Sequence, residues 1–380
     1  MNVQAQKNSM IDIPLQLLGG LSPAQFMRRH WQKKPLLIRN AISQFRPLLT
    51  DKELLALAAN ENVESRLLQQ NGKNWELTHG PLPKLPPLQQ KGWTALLQGM
   101  DAQHEAVRAL LDQFRFLPDA RLDDVMISYA SEGGGVGPHF DSYDVFLLQA
   151  AGRRRWQISA QDDLRLRKNL PLKILQKFVP EEEFVLEPGD MLYLPPHYAH
   201  DGVALDAGCQ TYSIGFYAPS NAQLAATLFQ RLAEVAEDEI ELPLLYADAQ
   251  QKPVTESAAI PAGLQKFALQ SVQNLIKNPQ LLHEMLGEHL SEPKENIWFE
   301  AHPSPKNWQV LTLARASKML YDQDCVYCNG ESWNAAGKDA ALLQKLANAR
   351  HIQRSDFDKA SASAQQLLGE WLAQGWVVAR

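Results

Sequence analysis

His139 and Asp141 flank Phe140 in the run Pro138-His139-Phe140-Asp141-Ser142-Tyr143. If residues 136–144 form an extended strand, side chains two apart share a face. His139 and Asp141 can then reach one ion while Phe140 packs behind. A third donor must come from elsewhere in the chain. Downstream, Leu186-Glu187-Pro188-Gly189-Asp190-Met191-Leu192-Tyr193-Leu194-Pro195-Pro196 delivers a strand into a proline-stiffened loop that ends at His197 and His200. Either histidine can complete the set, and because both follow the same loop, their spacing does not separate them. Two imidazoles and one carboxylate on one side of an octahedral ion form the facial triad of non-haem Fe(II) oxygenases, which leaves three coordination positions open. The plainer alternative is a group of surface or hydrogen-bonded core side chains, and the surrounding residues must decide between the two.

Gly152-Arg153-Arg154-Arg155-Trp156 follows the ligand-bearing segment. On a strand, Arg154 and Trp156 share one face while Arg153 and Arg155 take the other. One arginine can therefore look inward, where it needs an anion. A dicarboxylate cosubstrate supplies one through charge-assisted bonds of roughly 1.5–3 kcal/mol each. Otherwise the run is a solvated basic face. Gly133-Gly134-Gly135-Val136-Gly137-Pro138 superficially resembles a phosphate-cradling loop. It lacks the Lys-Ser/Thr of that motif and opens no helix, so its glycines are better used for close backbone approach beside a metal. Cys325-x-x-Cys328 has no second Cys/His pair nearby to complete a tetrahedral zinc site. It precedes the Asn329-Gly330 turn rather than opening a helix, so no redox role is expected of it.

The elements that position these residues can be read from periodicity. From 121 to 218 the chain consists of short β-rich runs separated by turn residues, the pattern of an antiparallel sandwich or barrel. Strands are predicted at 124–129, 143–149, 154–158, 184–186, 191–194 and 211–216, with a turn at Glu187-Pro188-Gly189-Asp190. Upstream, Ser22-Pro23 reads as an N-cap with proline in the first helical turn, 34–38 as a short strand and 51–59 as a helix. The proline-rich 80–93 reads as loop. After Pro219 the pattern becomes helical, with Leu224, Leu228, Leu232 and Val235 at helical spacing, then Leu264, Phe267, Leu275 and Ile276. Such stripes are most often intramolecular core, and a dimer interface is the other use. Residues 294–380 predict short strands, a hairpin at Asn329-Gly330 and helices at 338–349 and 363–374, which suits a small winged-helix-like module.

At 380 residues the chain exceeds one typical domain. A net charge of −6 and a pI near 6.0 exclude the overall basic field of a protein that coats nucleic acid. The first residues contain no apolar core of signal-peptide length, and no run of about 18 apolar residues occurs, so a soluble, cytoplasmic protein without a membrane partner is expected. Three cysteines cannot build a disulfide framework, which suits a reducing compartment.

Together these motifs resemble a known family, the JmjC-type 2-oxoglutarate oxygenases, and within it the bacterial ribosomal oxygenases. The resemblance is carried by Gly-Gly-Gly-Val-Gly-Pro-His-x-Asp-x-Tyr-Asp-Val-Phe at 133–146, Gly-Arg-Arg-Arg-Trp at 152–156, Glu-Pro-Gly-Asp at 187–190 and Tyr-Ser-Ile-Gly-Phe at 212–216. Trp31-Gln32-Lys33-Lys34-Pro35 extends it towards the amino terminus. It implies Fe(II) held by His139, Asp141 and His200, and 2-oxoglutarate held at its distal carboxylate by Arg154 with help from Ser128. The implied fold is α+β: a double-stranded β-helix (cupin-like) core, a helical dimerisation region and a C-terminal winged helix. The corresponding boundaries are 1–218, 219–292 and 293–380.

The implied activity is hydroxylation of an arginine β-carbon in the sixteenth large-subunit ribosomal protein, and the implied assembly is a homodimer. A protein demethylase of the same class is the alternative chemistry. A metabolite-sensing, nucleic-acid-binding regulator is the alternative class. Against the latter, residues 291–380 hold ten acidic and ten basic side chains and so no basic face, and direct nucleic-acid binding is not expected.

Overall fold

Inward-facing apolar positions recur along 122–216 and build the first of two units. The structure, a computed structural model, describes residues 11–380 apart from Lys73, 239–243, 302–304 and 306. The first unit comprises Met1–Ala218 and Lys294–Trp298; the second comprises Pro219–Pro293 and Phe299–Arg380.

The strands of the first unit are β1 (Leu36–Ile38), β2 (Ser65–Asn71), β3 (Asn74–His79), β4 (Trp93–Leu97), β5 (Leu122–Ala130), β6 (Val145–Ala151), β7 (Arg154–Ser159), β8 (Glu182–Leu186), β9 (Met191–Leu194), β10 (Ala199–Ala204) and β11 (Cys209–Phe216). They form an eight-stranded sheet, ordered β1-β9-β6-β11-β5-β4-β2-β3, and a three-stranded sheet, ordered β10-β7-β8. Every pairing is antiparallel. The two sheets meet through Val145, Leu147, Leu192 and Leu194 from the large one and Trp156, Ile158 and Leu186 from the small one. The other face of the large sheet packs Phe146, Tyr193 and Tyr212 against Phe26 and Leu54 of two helices and against Phe114 of the turn after a third.

Local sequence explains those helices. In α1 (Pro23–Arg29), Ser22 and Gln25 form a reciprocal capping box and Phe26 is fully buried. Thr50 and Glu53 do the same for α2 (Asp51–Ala58). In α3 (Glu105–Asp112), Val107, Leu110 and Leu111 face the core.

Around the glycine-rich run the structure departs from expectation. Residues 136–144 do not form a strand; only His139 pairs, in an isolated bridge to His200. Gly137, at φ 77°, breaks the extended course. Strand β10 was not foreseen, because its His-Asp-Gly sequence lacks β-branched residues.

The second unit begins with α4 (Asn221–Asp238), α5 (Ala262–Ile276) and α6 (Pro279–Ser291). The Leu224/Leu228/Leu232 stripe buries Leu232 alone, α5 buries no side chain, and Val235 falls outside the described side chains. The stripes are therefore not intramolecular core, the commoner use of such a pattern. Beyond them, β12 (Val310–Leu313), β13 (Met319–Tyr321), β14 (Cys325–Cys328), β15 (Glu331–Asn334), β16 (His351–Gln353) and β17 (Val377–Ala379) pair as β16-β12-β17 and β13-β14-β15. They pack with α7 (Gly337–Ala349) and α9 (Ala362–Ala373), which flank the single turn α8 (Arg354–Phe357), around Leu343, Leu346, Leu368, Trp371 and Trp376.

Candidate metal centre

The glycine-rich run lets 133–139 lie against β10. A Cβ on Gly135 would sit 2.6 Å from the Gly202 carbonyl oxygen, and one on Gly137 would sit 2.9 Å from the Trp75 ring. Only glycine permits that approach. The run then pairs with β10 at both ends: Gly133 N donates to Ala204 O, Ala204 N donates to Gly134 O, and His139 and His200 exchange backbone bonds of 2.9 and 2.8 Å. Opposed in this way, the two histidine rings lie with centroids 4.2 Å apart. Asp141 is fixed by its carbonyl, which accepts from His197 N at 2.7 Å.

His139, Asp141 and His200 thereby place one possible ligand atom each within 4.8 Å of one another, and His200 Nε2 lies 3.6 Å from Asp141 Oδ2. Among the described residues no other three His, Cys, Asp or Glu side chains gather so closely. Each imidazole makes its Nδ1 contact with a backbone carbonyl, Gly137 O at 2.8 Å and Tyr198 O at 2.9 Å. A carbonyl only accepts, so Nδ1 carries the hydrogen and Nε2 presents its lone pair, the tautomer a metal requires. Burial, reinforced by the His139 charge, lowers the His200 pKa to about 4, so its ring is neutral at physiological pH. His197 is exposed, its ring lies 5.7 Å from that of Phe140, and it is not part of the cluster. Of the two histidines that spacing left open, the structure brings His200 to the site. Two imidazole nitrogens and one carboxylate fit Fe(II) in a facial arrangement.

Arg154 is 3% exposed. Its Nη2 lies 3.4 Å from Ser128 Oγ and its Nη1 donates to Gly202 O at 3.3 Å, while its buried Nε has no partner. No described carboxylate forms an ion pair with it, whereas Arg153 pairs with exposed Asp206. A buried guanidinium with an unfilled donor fits an anionic ligand, because leaving it unpaired is costly. Asp124, Met126 and Ser128 share the inward face of β5 by the period-two rule, which places Asp124 roughly 13 Å along the strand from Ser128. A cavity of ≈ 230 Å³ is lined by His139, Asp141, Asp123, Asp124, Tyr143 and Ser213 among others. Burial and the neighbouring Asp141, Asp124 and Asp123 carboxylates raise the Tyr143 pKa, so its phenol stays protonated. Asp123, Asp124, Tyr143 and Ser213 were not singled out from sequence, although Asp124 was recoverable as an even-numbered neighbour of Ser128.

A double-stranded β-helix carrying this donor set beside a buried arginine defines a cupin-like, metal-dependent oxygenase. Residues 109–224 match the JmjC domain model and 274–377 the ROXA-like winged helix model. With 33% identity over 342 residues to the ribosomal protein uL16 3-hydroxylase of Escherichia coli (strain K12), covering 85% of this chain and 88% of that protein, the chain belongs to the bacterial ribosomal oxygenase family. A probable ribosomal oxygenase of Haemophilus influenzae is 34% identical over 61% of this chain and 59% of its own length. The X-ray structure of E. coli YcfD superposes with a TM-score of 0.83 at 30% identity, covering 95% of this chain and 98% of that one. A YcfD structure in complex with cobalt and 2-oxoglutarate gives a TM-score of 0.80 at 29% identity and the same coverage.

Proposed function

We propose that the protein is an Fe(II)- and 2-oxoglutarate-dependent hydroxylase of ribosomal protein uL16 that acts on the β-carbon of an arginine. The observation that carries this reading is the presence inside one β-helix of a metal donor set and a buried arginine with an unfilled donor. His139, Asp141 and His200 would hold the metal, and Arg154 with Ser128 would hold the distal carboxylate of 2-oxoglutarate. When bound, the iron and cosubstrate would activate dioxygen, one atom of which would enter a C–H bond while the other would go into succinate, formed from 2-oxoglutarate with loss of carbon dioxide. The protein's own task is positioning, so residues that orient the substrate should matter almost as much as the ligands. Asp123 and Asp124, in the lining of the cavity, favour a cationic side chain, and Tyr143 and Ser213 offer hydroxyls in the same lining.

Exposed apolar side chains on α4 and α5, including Phe229, Leu269 and Val272, suit pairing with a second copy of the chain. Among the described residues no helix is long and apolar enough to cross a membrane. A cytoplasmic site of action, where ribosomal proteins are made, and no direct nucleic-acid binding complete the reading. The test is to load the protein anaerobically with Fe(II) and 2-oxoglutarate, add recombinant uL16, admit air and read masses. A gain of 16 on an arginine-containing fragment is expected. A loss of 14 from a methylated substrate would indicate a demethylase instead, and no change in uL16 would overturn the reading.

A further inference from the structure

Lys294 belongs to the five residues Lys294–Trp298 that the chain returns to the first unit after α6. Its ammonium lies 2.9 Å from Asp123 Oδ1 and 3.0 Å from Asp124 Oδ2. Both aspartates line the cavity that contains His139 and Asp141. The two oxygens of Asp124 have different surroundings. Oδ2 accepts from Gln98 Nε2 at 2.9 Å, from Gly99 N at 2.8 Å and from Lys294. Oδ1 accepts nothing among the described residues, and it faces Gly215, lying 3.7 Å from where a Cβ on that cavity-lining glycine would be. One oxygen is thus committed to the protein while the other is presented to the cavity. The Asp124 side chain is 5% exposed, whereas that of Lys294 is 44% exposed, so the lysine reaches the pair from the solvent side.

We propose that Lys294 is a built-in competing cation that sets the selectivity of the Asp123/Asp124 pair in a cavity also lined by Arg66 and Lys173: it neutralises Asp123 and the Oδ2 side of Asp124, so that an incoming cation gains only what Oδ1 offers. This rests on the reading of the substrate side chain as a guanidinium. Two cations on one carboxylate repel each other, and at the effective dielectric of a protein surface that repulsion weakens binding. The cost is smaller for a planar guanidinium, which can direct two N–H groups at Oδ1 and its neighbours, than for a compact ammonium. Lys294 therefore discriminates against lysine side chains and loosely bound basic peptides, at some expense in affinity for the substrate. Gln98 and the Gly99 amide keep Asp124 in place without it.

The experiment compares wild type with Lys294→Met and Lys294→Arg, each loaded with Fe(II) and 2-oxoglutarate under argon. Binding of recombinant uL16 and of fluorescent hexaarginine and hexalysine peptides is measured by anisotropy. Lys294→Met should bind uL16 roughly five- to tenfold more tightly and gain more for hexalysine than for hexaarginine, while Lys294→Arg behaves as wild type. In air, KM for uL16 should fall with kcat unchanged. The gain must vanish in the Lys294→Met/Asp124→Asn double variant, which excludes a basic-peptide site elsewhere. Unchanged or weaker hexaarginine and hexalysine binding by Lys294→Met overturns the inference. If uL16 is neither bound nor oxidised by the wild type, the substrate reading fails, and the two peptides alone decide the role of Lys294.

Discussion

Asp141 is the one anionic donor among the three candidate ligands, and it has no near substitute: the other carboxylates of the cavity sit on β5. Asp141→Ala should therefore abolish succinate formation, and full activity in that variant would refute the ligand assignment. For Arg154, whose guanidinium has an unfilled buried donor, truncation should act on the cosubstrate rather than on the metal. Arg154→Ala is expected to raise KM for 2-oxoglutarate by ten- to a hundredfold, the loss of about 1.5–3 kcal/mol for a charge-assisted bond. Metal affinity measured without cosubstrate should stay as in the wild type; a parallel loss of metal would argue for a structural role instead.

Lys294 adds a pH dependence whose sign follows from its surroundings. Burial works to lower its pKa, but Asp124 and Asp123 outweigh burial and the value lies above 10.5. A folded-state pKa raised above the unfolded one contributes stability that is fully present below the unfolded value and is lost as pH rises through the folded one. The difference in melting temperature between wild type and Lys294→Met should be constant from pH 7 to 9 and should narrow in more alkaline buffer. A gap that does not change up to pH 12 would show that the ion pairs do not stabilise the fold.

At the scale of elements, the centre depends on a pairing between a glycine-rich run and β10. Gly135→Ala would place a methyl group 2.6 Å from a backbone oxygen that cannot turn aside, so the run must move away and take His139 with it. Overpacking of this kind costs about 1–3 kcal/mol, and the expected result is a metal affinity at least tenfold weaker in a protein that still folds. Titration with Mn(II) or Co(II), followed by calorimetry, reads it directly, and an unchanged affinity would show that the run tolerates a side chain.

The same pairing shows what could be read in the sequence. Strands β5 to β9 and β11 were legible because alternating apolar residues face two packed layers. So was the Ser22 cap of α1, whereas the Thr50/Glu53 box of α2 is apparent only in the structure. β10 was not legible, because its register is imposed by β7 and by the glycine run rather than by its own residues. The choice between His197 and His200 had the same cause: the loop turns at His197, at φ 63°, and only the pairing beyond it shows which ring points inward. β2 to β4 carry no assignment in the sequence for a related reason, since Gln69, Gln70 and Asn71 lack apolar alternation and are held by neighbouring strands.

At the scale of the whole molecule, α5 presents Leu269, Val272 and Ile276 at helical spacing with 60%, 48% and 41% of their surfaces exposed. Fully burying such a side chain is worth roughly 1.5–3 kcal/mol, so a stripe of three left in water forgoes more free energy than a marginally stable protein readily gives up. A second copy of the chain, presenting the same stripe across a two-fold axis, recovers it with no other partner required. Light scattering of the wild type should give twice the 42.7 kDa chain mass at micromolar concentration, and Val272→Glu should give the single chain mass. Because association stabilises only the folded state, the wild-type melting temperature should rise with protein concentration while that of Val272→Glu does not. Succinate formation supported by uL16 should survive in the variant, since His139, Asp141, His200 and Arg154 all lie in the first unit and none is on α5. A wild type that is monomeric at every concentration would leave the stripe to some other protein and remove the dimer from the proposed function.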